Sequence, residues 1–243
     1  LASVAVDVLG DNALAVTAHS PLYPQHEQNE AAELARALGI PHVEVQSDEL
    51  DVPGFAANPP DRCYLCKSEL FREVRQAAVP YGIDQVADGT NADDTGDYRP
   101  GRRAAQECGV LSPLLEAGLG KDDIRTLSRG MNLPTADKPA FACLASRFPY
   151  GTEITEEKLQ AVEAVENALR QAGFDQFRVR HHGEVARIEV SPDAIPRLCA
   201  EPGRGEIAAA AHDAGFLYVT VDLDGYRTGS MNAGLPAGAT TES

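Results

Sequence analysis

Apolar positions in the first half of the chain recur with a helical spacing, interrupted by short continuous runs. Leu1-Ala2-Ser3-Val4-Ala5-Val6-Asp7-Val8-Leu9-Gly10 reads as the end of a helix stopped by a C′ glycine. Asn12 to Ala18 is a short apolar strand, and Thr17-Ala18-His19-Ser20-Pro21 leaves it as a loop. Ala31, Leu34, Ala35 and Leu38 share one face of a helix from Glu27 to Leu38, ended by Gly39. A second strand is predicted over His42 to Val45, then a helix from Leu65 to Val79 and a strand Gln85-Val86-Ala87-Asp88. Ile124 to Arg129 is a short helix closed by Gly130 and Pro134. Strands alternating with helices predict an α/β domain, a parallel sheet covered on both faces.

The texture changes after Pro149-Tyr150-Gly151. Ile154 and Leu159 flank Thr155 as a hydrophobic staple around an N-cap, and Leu159, Val162, Val165, Leu169 and Ala172 continue as one stripe to Gly173. Phe177-Arg178-Val179-Arg180 and Ala186-Arg187-Ile188-Glu189-Val190 alternate as half-buried strands. Helices near Ala194 to Cys199 and Ile207 to Ala214 precede a strand from Phe216 to Val221. The pattern predicts a smaller α+β domain, so the chain divides into 1–148, 149–232 and a disordered tail over 233–243.

Composition narrows the partners. The 243 residues suffice for one or two domains with a real core. With 21 basic against 37 acidic residues the net charge is −16, which argues against nucleic acid, a polymer bound by neutralising its phosphates. No apolar run approaches the ~20 residues of a membrane span, and no signal-peptide layout opens the chain. Five cysteines are an odd number in a chain too long for a disulfide miniprotein, so a reducing cytoplasm is expected.

In that setting Cys63 and Cys66, in Arg62-Cys63-Tyr64-Leu65-Cys66-Lys67, read as a metal or redox pair. A structural zinc site would need four ligands, and neither a second CxxC nor a spaced His pair supplies them, since His181 and His182 are adjacent. Pro59-Pro60-Asp61 reads as a loop, unlike the strand before a thioredoxin-type pair. Cys108 and Cys199 fall in or at the ends of helices as core thiols. Cys143 sits between Pro139 and Pro149 in a small-residue loop beside Ser146 and Arg147, as a third ligand or as a buried thiol. A three-thiolate site leaves one coordination position open, the mark of a reactive centre.

Asp88-Gly89-Thr90-Asn91-Ala92-Asp93-Asp94-Thr95-Gly96-Asp97 follows a strand at what would be the sheet's carboxyl edge, where α/β folds bind ligands. Its carboxylates suit Mg²⁺ on a nucleotide, or form a solvated acidic turn. Arg178 and Arg180 alternate on one strand face, which suits a phosphate or carboxylate ligand and equally a surface pair.

These segments, with Tyr98-Arg99-Pro100-Gly101, Ser112-Pro113-Leu114, Asp137-Lys138-Pro139-Ala140, Cys143 to Gly151 and Asp222 to Ser230, together resemble the LarE family from the first residues to about Asn232. The resemblance implies a PP-loop ATP pyrophosphatase domain. It implies an ATP-dependent sulfurtransferase that adenylates a carboxylate of pyridinium-3,5-dicarboxylate mononucleotide and makes the thiocarboxylate of the nickel-pincer cofactor of lactate racemase. One branch sacrifices a single cysteine sulfur, a donor at or beside Cys143. The other holds a [4Fe–4S] cluster on three cysteines, with sulfide on the free iron, and Cys63, Cys66 and Cys143 match it. By the same resemblance Ser146, Arg147, Arg178 and Arg180 hold the substrate. Ser20, Asp88, Gly89, Asn91, Asp94 and Asp97 hold the nucleotide and Mg²⁺. A sulfide donor and assembly into a homo-oligomer are also implied.

The family's phosphate loop, a Ser-Gly-Gly-x-Asp-Ser stretch, lies just before the helix that Leu1 enters and is not in this sequence. The chain as it stands is therefore expected to bind ATP poorly and to be inactive. A tRNA thiolase of the same class also uses CxxC and a distant Cys, but its substrate demands the opposite charge. A non-catalytic zinc-stabilised module is the alternative from another class.

Overall fold

The computed structural model describes residues 1–96, 100–138 and 141–227. Asp97, Tyr98, Arg99, Pro139, Ala140 and the stretch from Thr228 through the expected tail lie outside the described residues. The chain divides into two compact units, one of Leu1–Val52 with Asp61–Ala142, the other of Pro53–Pro60 with residues 143–227. Cys143 to Phe148, counted above with the first domain, group with the second unit.

The first unit is α/β. Helix α1 (Ala2–Leu9) leads to strand β1 (Ala15–His19), helix α2 (Gln25–Leu38) and strand β2 (His42–Gln46). β1 and β2 pair in parallel with Ala15 opposite His42, the crossover that a strand–helix–strand sequence requires. Ala13, Ala35 and Ile40 form the core beneath α2. Helix α3 (Arg62–Ala78) packs on both strands, and α4 (Pro100–Glu107), α5 (Pro113–Glu116) and α6 (Lys121–Gly130) follow.

The sequence pattern was incomplete here in three places. α3 begins at Arg62 rather than Leu65, so Cys63 as well as Cys66 lies within the helix. Cys199 is exposed, so it is not the core thiol expected, whereas half-buried Cys108 does pack against the cluster of Phe71, Val86 and Ala105. The predicted strand Gln85–Asp88 makes a single parallel bridge, Ala87 with Leu111. A cavity of about 210 Å³ is lined by Leu14 and Val16 on one side and Val86 and Ala87 on the other, so β1 does not reach this stretch. Val86 instead packs with Phe71 and Ala105.

The second unit is α+β. Helix α7 (Glu156–Gln171) starts at Thr155, whose hydroxyl accepts the Lys158 N–H at 3.4 Å, and Ile154 and Leu159 are both buried as the staple requires. Strands β3 (Phe177–His182) and β4 (Val185–Val190) form an antiparallel hairpin. Helices α8 (Ile195–Leu198) and α9 (Gly203–Asp213) lead to β5 (Tyr218–Val221), which joins β4 in parallel. α7 covers β3 and α9. Among the described residues no helix is long and apolar enough to cross a membrane.

His181 on β3 lies in this core, stacked on Phe148 with ring centroids 5.0 Å apart and edge-on to Phe216 at 5.3 Å. Burial, reinforced by Lys158, holds its pKa below the ordinary 6.5. The unfolded chain therefore binds the proton more readily. The stability tied to neutral His181 is complete above pH 6.5 and is lost as the pH falls below that value. Thermal unfolding at pH 7.5 and 5.5 is expected to show a larger fall in Tm for the wild type than for His181→Phe. Parallel falls would refute this origin of acid sensitivity.

Candidate active site

Cys63 and Cys66 occupy the first turn of α3. Pro59 and Pro60 cannot continue a ladder, so the helix starts immediately after them, with Tyr64 N–H donating to Asp61 O at 2.8 Å. The three-residue spacing puts both sulfurs on one side of the helix. Cys63 is exposed and Cys66 buried, and neither is in a disulfide. α4 crosses this turn at Gly101, where a β-carbon would stand 3.0 Å from Lys67 Cγ and 3.5 Å from the Cys63 carbonyl. Tyr64 is held from the same side, its hydroxyl donating to Glu107 at 2.6 Å under the Arg103 guanidinium.

Behind Cys66 lies a carboxyl group that the sequence pattern did not single out. Glu49 is 1% exposed, and its Oε1 accepts the Cys66 thiol at 3.9 Å. Burial pushes its pKa up, opposed by the Ser20 hydroxyl, which donates to Oε2 at 2.5 Å. Ser20, expected at the nucleotide, is thus bonded to Glu49 and also accepts the Leu22 N–H at 3.1 Å.

The acidic loop closes on itself. Asp88 accepts from Thr90 N at 3.1 Å, Thr90 Oγ1 at 2.7 Å and Ser112 Oγ at 2.8 Å. Asn91 Nδ2 donates to buried Asp94 at 2.7 Å, and Lys121 pairs with Asp94 at 3.6 Å. Nothing lies within 4 Å of a β-carbon built on Gly89. Gly89 and Asn91 line a cavity of about 330 Å³ together with Lys121, Arg125 and Lys138, the last held by Glu27 at 2.7 Å and Glu30 at 2.5 Å.

Cys143 belongs to the second unit. It opens a 3-10 turn, Leu144–Arg147, in which Leu144, Ala145, Arg147 and the following Phe148 are all buried. Arg147 makes a two-pronged pair with Glu166 of α7, Nε to Oε1 at 2.8 Å and Nη2 to Oε2 at 2.9 Å. Its Nη1 donates to the Cys143 carbonyl at 3.1 Å and to Ser146 Oγ at 2.9 Å. Glu166 Oε1 also accepts the Val179 N–H of β3 at 3.1 Å. Arg147, expected to hold substrate, is 0% exposed and fixes the cysteine loop to the sheet instead.

Arg180 is likewise engaged, donating to Ser146 O at 3.0 Å and to buried Glu189 at 2.7 Å. Glu189 is shared with Arg187, which reaches Asp222 at 3.4 Å. Arg178, on the same strand face, lies 5.2 Å from the Tyr226 ring. Its Nη1 donates to Phe177 O at 2.6 Å, and burial, then the Arg147 guanidinium, lowers its pKa against the opposing pull of Tyr226 and Glu166. Tyr226 is seated by Gly225, whose φ of 70° brings its α-carbon so near Val190 O that a β-carbon would stand at 2.8 Å. Tyr226 N–H then donates to that same carbonyl at 2.7 Å.

Among the described residues no three His, Cys, Asp or Glu side chains come together as a metal site. Cys63 and Cys66 offer two soft thiols on one helical face of the first unit, and Cys143 offers one on a turn of the second. Glu49, Glu166, Glu189 and Lys121 escaped the sequence reading, and Lys138 entered it only within a family segment. Glu166 carries a readable signal, a charge on the apolar face between Val162 and Leu169 of α7.

No family model matches the chain. It is 47% identical over 232 residues to an uncharacterised protein of Synechocystis sp., covering 96% of this chain and 87% of that protein. It is 38% identical over 230 residues to the pyridinium-3,5-bisthiocarboxylic acid mononucleotide synthase of Lactiplantibacillus plantarum, covering 94% and 83%. An uncharacterised protein of Methanocaldococcus jannaschii is 36% identical over 171 residues, 70% of this chain and 66% of that one.

Because Arg147 and Glu166 are dry, removing either partner strands a charge. Arg147→Met or Glu166→Met alone is expected to cost about 3–5 kcal/mol in urea unfolding, and the double variant clearly less than the sum. Additive losses would mean that the pair does not act as a unit.

Proposed function

This chain belongs to the LarE family, and we propose that it is an ATP-dependent sulfurtransferase of nickel-pincer nucleotide cofactor biosynthesis. Similarity to the bisthiocarboxylic acid mononucleotide synthase along nearly the whole chain carries the reading. The substrate is pyridinium-3,5-dicarboxylate mononucleotide. A carboxylate oxygen attacks the α-phosphorus of ATP, pyrophosphate leaves, and an acyl adenylate forms. A sulfur anion adds to the acyl carbon, AMP departs with the former carboxylate oxygen, and a thiocarboxylate remains. Adenylation is needed because carboxylate oxygens are poor leaving groups.

Cys63, Cys66 and Cys143 would hold a [4Fe–4S] cluster, which when bound supplies sulfur that stays deprotonated near neutral pH. Arg178 binds the substrate's phosphate or a carboxylate, either of which a guanidinium matches. Ser146 accepts a hydrogen bond from Arg147, which leaves its own proton to donate to a substrate oxygen. Arg180 holds Ser146 through its carbonyl. Asp88, Gly89, Asn91 and Asp94 form the nucleotide and Mg²⁺ end, with Lys121 and Lys138 toward the phosphates. Asp97 keeps its proposed role there. The reading includes a cytoplasmic homo-oligomer served by a separate sulfide donor.

Anaerobically purified protein is expected to carry about four irons with acid-labile sulfide per chain. In protein supplied with the family's phosphate loop, Cys63→Ala, Cys66→Ala and Cys143→Ala should each abolish the brown colour and thiocarboxylate formation followed by mass spectrometry. If Cys63→Ala and Cys66→Ala keep one turnover of sulfur transfer and Cys143 becomes dehydroalanine, the cysteine is sacrificed and the cluster reading is wrong. One zinc without iron would favour the structural module, and tight, salt-sensitive tRNA binding the thiolase.

A further inference from the structure

We infer that the outer edge of β5 is the surface on which two copies of this chain pair, an inference that rests on the homo-oligomer of the reading above and names its interface. β5 ends the sheet β3–β4–β5, and among the described residues no strand pairs with its other edge. The main chain shows which groups face outward there. Tyr218 N–H donates to Glu184 O at 3.0 Å and Asp222 N–H to Ile188 O at 2.9 Å, so within the strand the even positions bond to β4. A strand alternates with every residue, which turns the N–H and C=O groups of Val219 and Val221 away from the sheet. Edges are commonly blunted by lysine, proline or a bulge, and Leu217-Tyr218-Val219-Thr220-Val221 has none of these.

The occupant follows from the residue order. Leu217-Tyr218-Val219-Thr220-Val221-Asp222-Leu223 carries the same apolar pattern in both directions about Thr220. A two-fold axis at Thr220 sets Val219 of each copy opposite Val221 of the other in antiparallel pairing, and these are the residues with outward main-chain groups. Four N–H···O=C bonds then close across the axis, two for each such pair. Thr220 meets its own equivalent as the non-hydrogen-bonded pair, where α-carbons stand about 4.5 Å apart. Leu223, on the turn that ends the strand, comes to the Leu217 end of the second copy.

Burial favours the pairing. Leu217, Tyr218 and Leu223 are 58%, 60% and 87% exposed, and among the described residues of the second unit they are the large apolar side chains left in water. Side chains of this size carry roughly 200 Å² each, so the three expose about 400 Å² per copy, half of the ~800 Å² that each partner brings to a standard interface. Beside them an apolar cavity of about 460 Å³ is lined by Leu198, Ile207, Ala208 and Leu217, and it can take the Leu223 side chain of the second copy. A projecting leucine and a cavity at opposite ends of one symmetric edge complement each other when the chain meets itself. An unrelated strand is not held to that symmetry.

Molar mass from light scattering over a concentration series reads the association. Leu223→Asp alters a side chain that stands in water in the single chain, so far-UV circular dichroism should not change. Each lost contact occurs twice across a two-fold axis, and the dissociation constant is expected to rise about 100-fold. A second variant reads the register. Thr220→Cys, in a Cys63→Ser and Cys199→Ser background that removes the two exposed thiols, should give a disulfide-linked dimer on mild oxidation, and the background far less. A wild-type oligomer that Leu223→Asp leaves intact, or in which Thr220→Cys does not cross-link, overturns the β5 interface and leaves the homo-oligomer standing. A wild type that stays a single chain at every concentration overturns the homo-oligomer and this inference with it.

Discussion

The dry ion pair between Arg147 and Glu166 is the constraint on which the second unit's chemistry rests. A guanidinium presents five donors in a rigid plane, and here Glu166, the Cys143 carbonyl and Ser146 Oγ accept from it. Glu166 in turn accepts a main-chain N–H from β3. One salt bridge thus joins α7, the central hairpin and the turn carrying Cys143. Leu144, Ala145 and Phe148 bury the remainder of the turn. Cys143 and Ser146 keep partial exposure because everything around them is fixed.

The first unit solves a different problem, how to offer two sulfurs at one spot. A helix does this at three-residue spacing without help from the rest of the fold, provided it begins in time. Pro59 and Pro60 set that beginning. Gly101 then lets α4 lie close against the turn, where any side chain would meet Lys67 or the Cys63 carbonyl. The polar group behind Cys66 is Glu49, kept out of water and hydrogen-bonded to Ser20.

Net charge and local field have opposite signs in this protein. A surplus of −16 disfavours a polyanion, which samples the whole surface. A mononucleotide samples only its pocket. There Arg178, Arg180 and Arg147 stand on neighbouring elements, and two of them are neutralised by buried Glu189 and Glu166.

Much of the architecture was readable from residue order. Periodicity placed α2, α7 and the β3–β4 hairpin, and Thr155 with Ile154 and Leu159 marked the start of α7, because these signals are local. The strand at Gln85–Asp88 was not readable, since a strand exists only through its neighbours and Ala87 meets just Leu111. Cys199 was misjudged for the same reason, as burial depends on what packs against a helix end. Residue types also singled out Cys63, Cys66, Cys143 and the paired arginines as candidates. What each arginine does was decided only by tertiary structure. Spacing along β3 makes Arg178 and Arg180 equivalent, but the position of Glu189 on β4 and of the Ser146 carbonyl commits Arg180 to internal bonds. Arg147, read as a substrate ligand, became a buried support because Glu166, distant in sequence, was folded against it. A motif names the chemical groups present. Which of them are satisfied internally and which face a ligand depends on partners brought in from elsewhere in the chain.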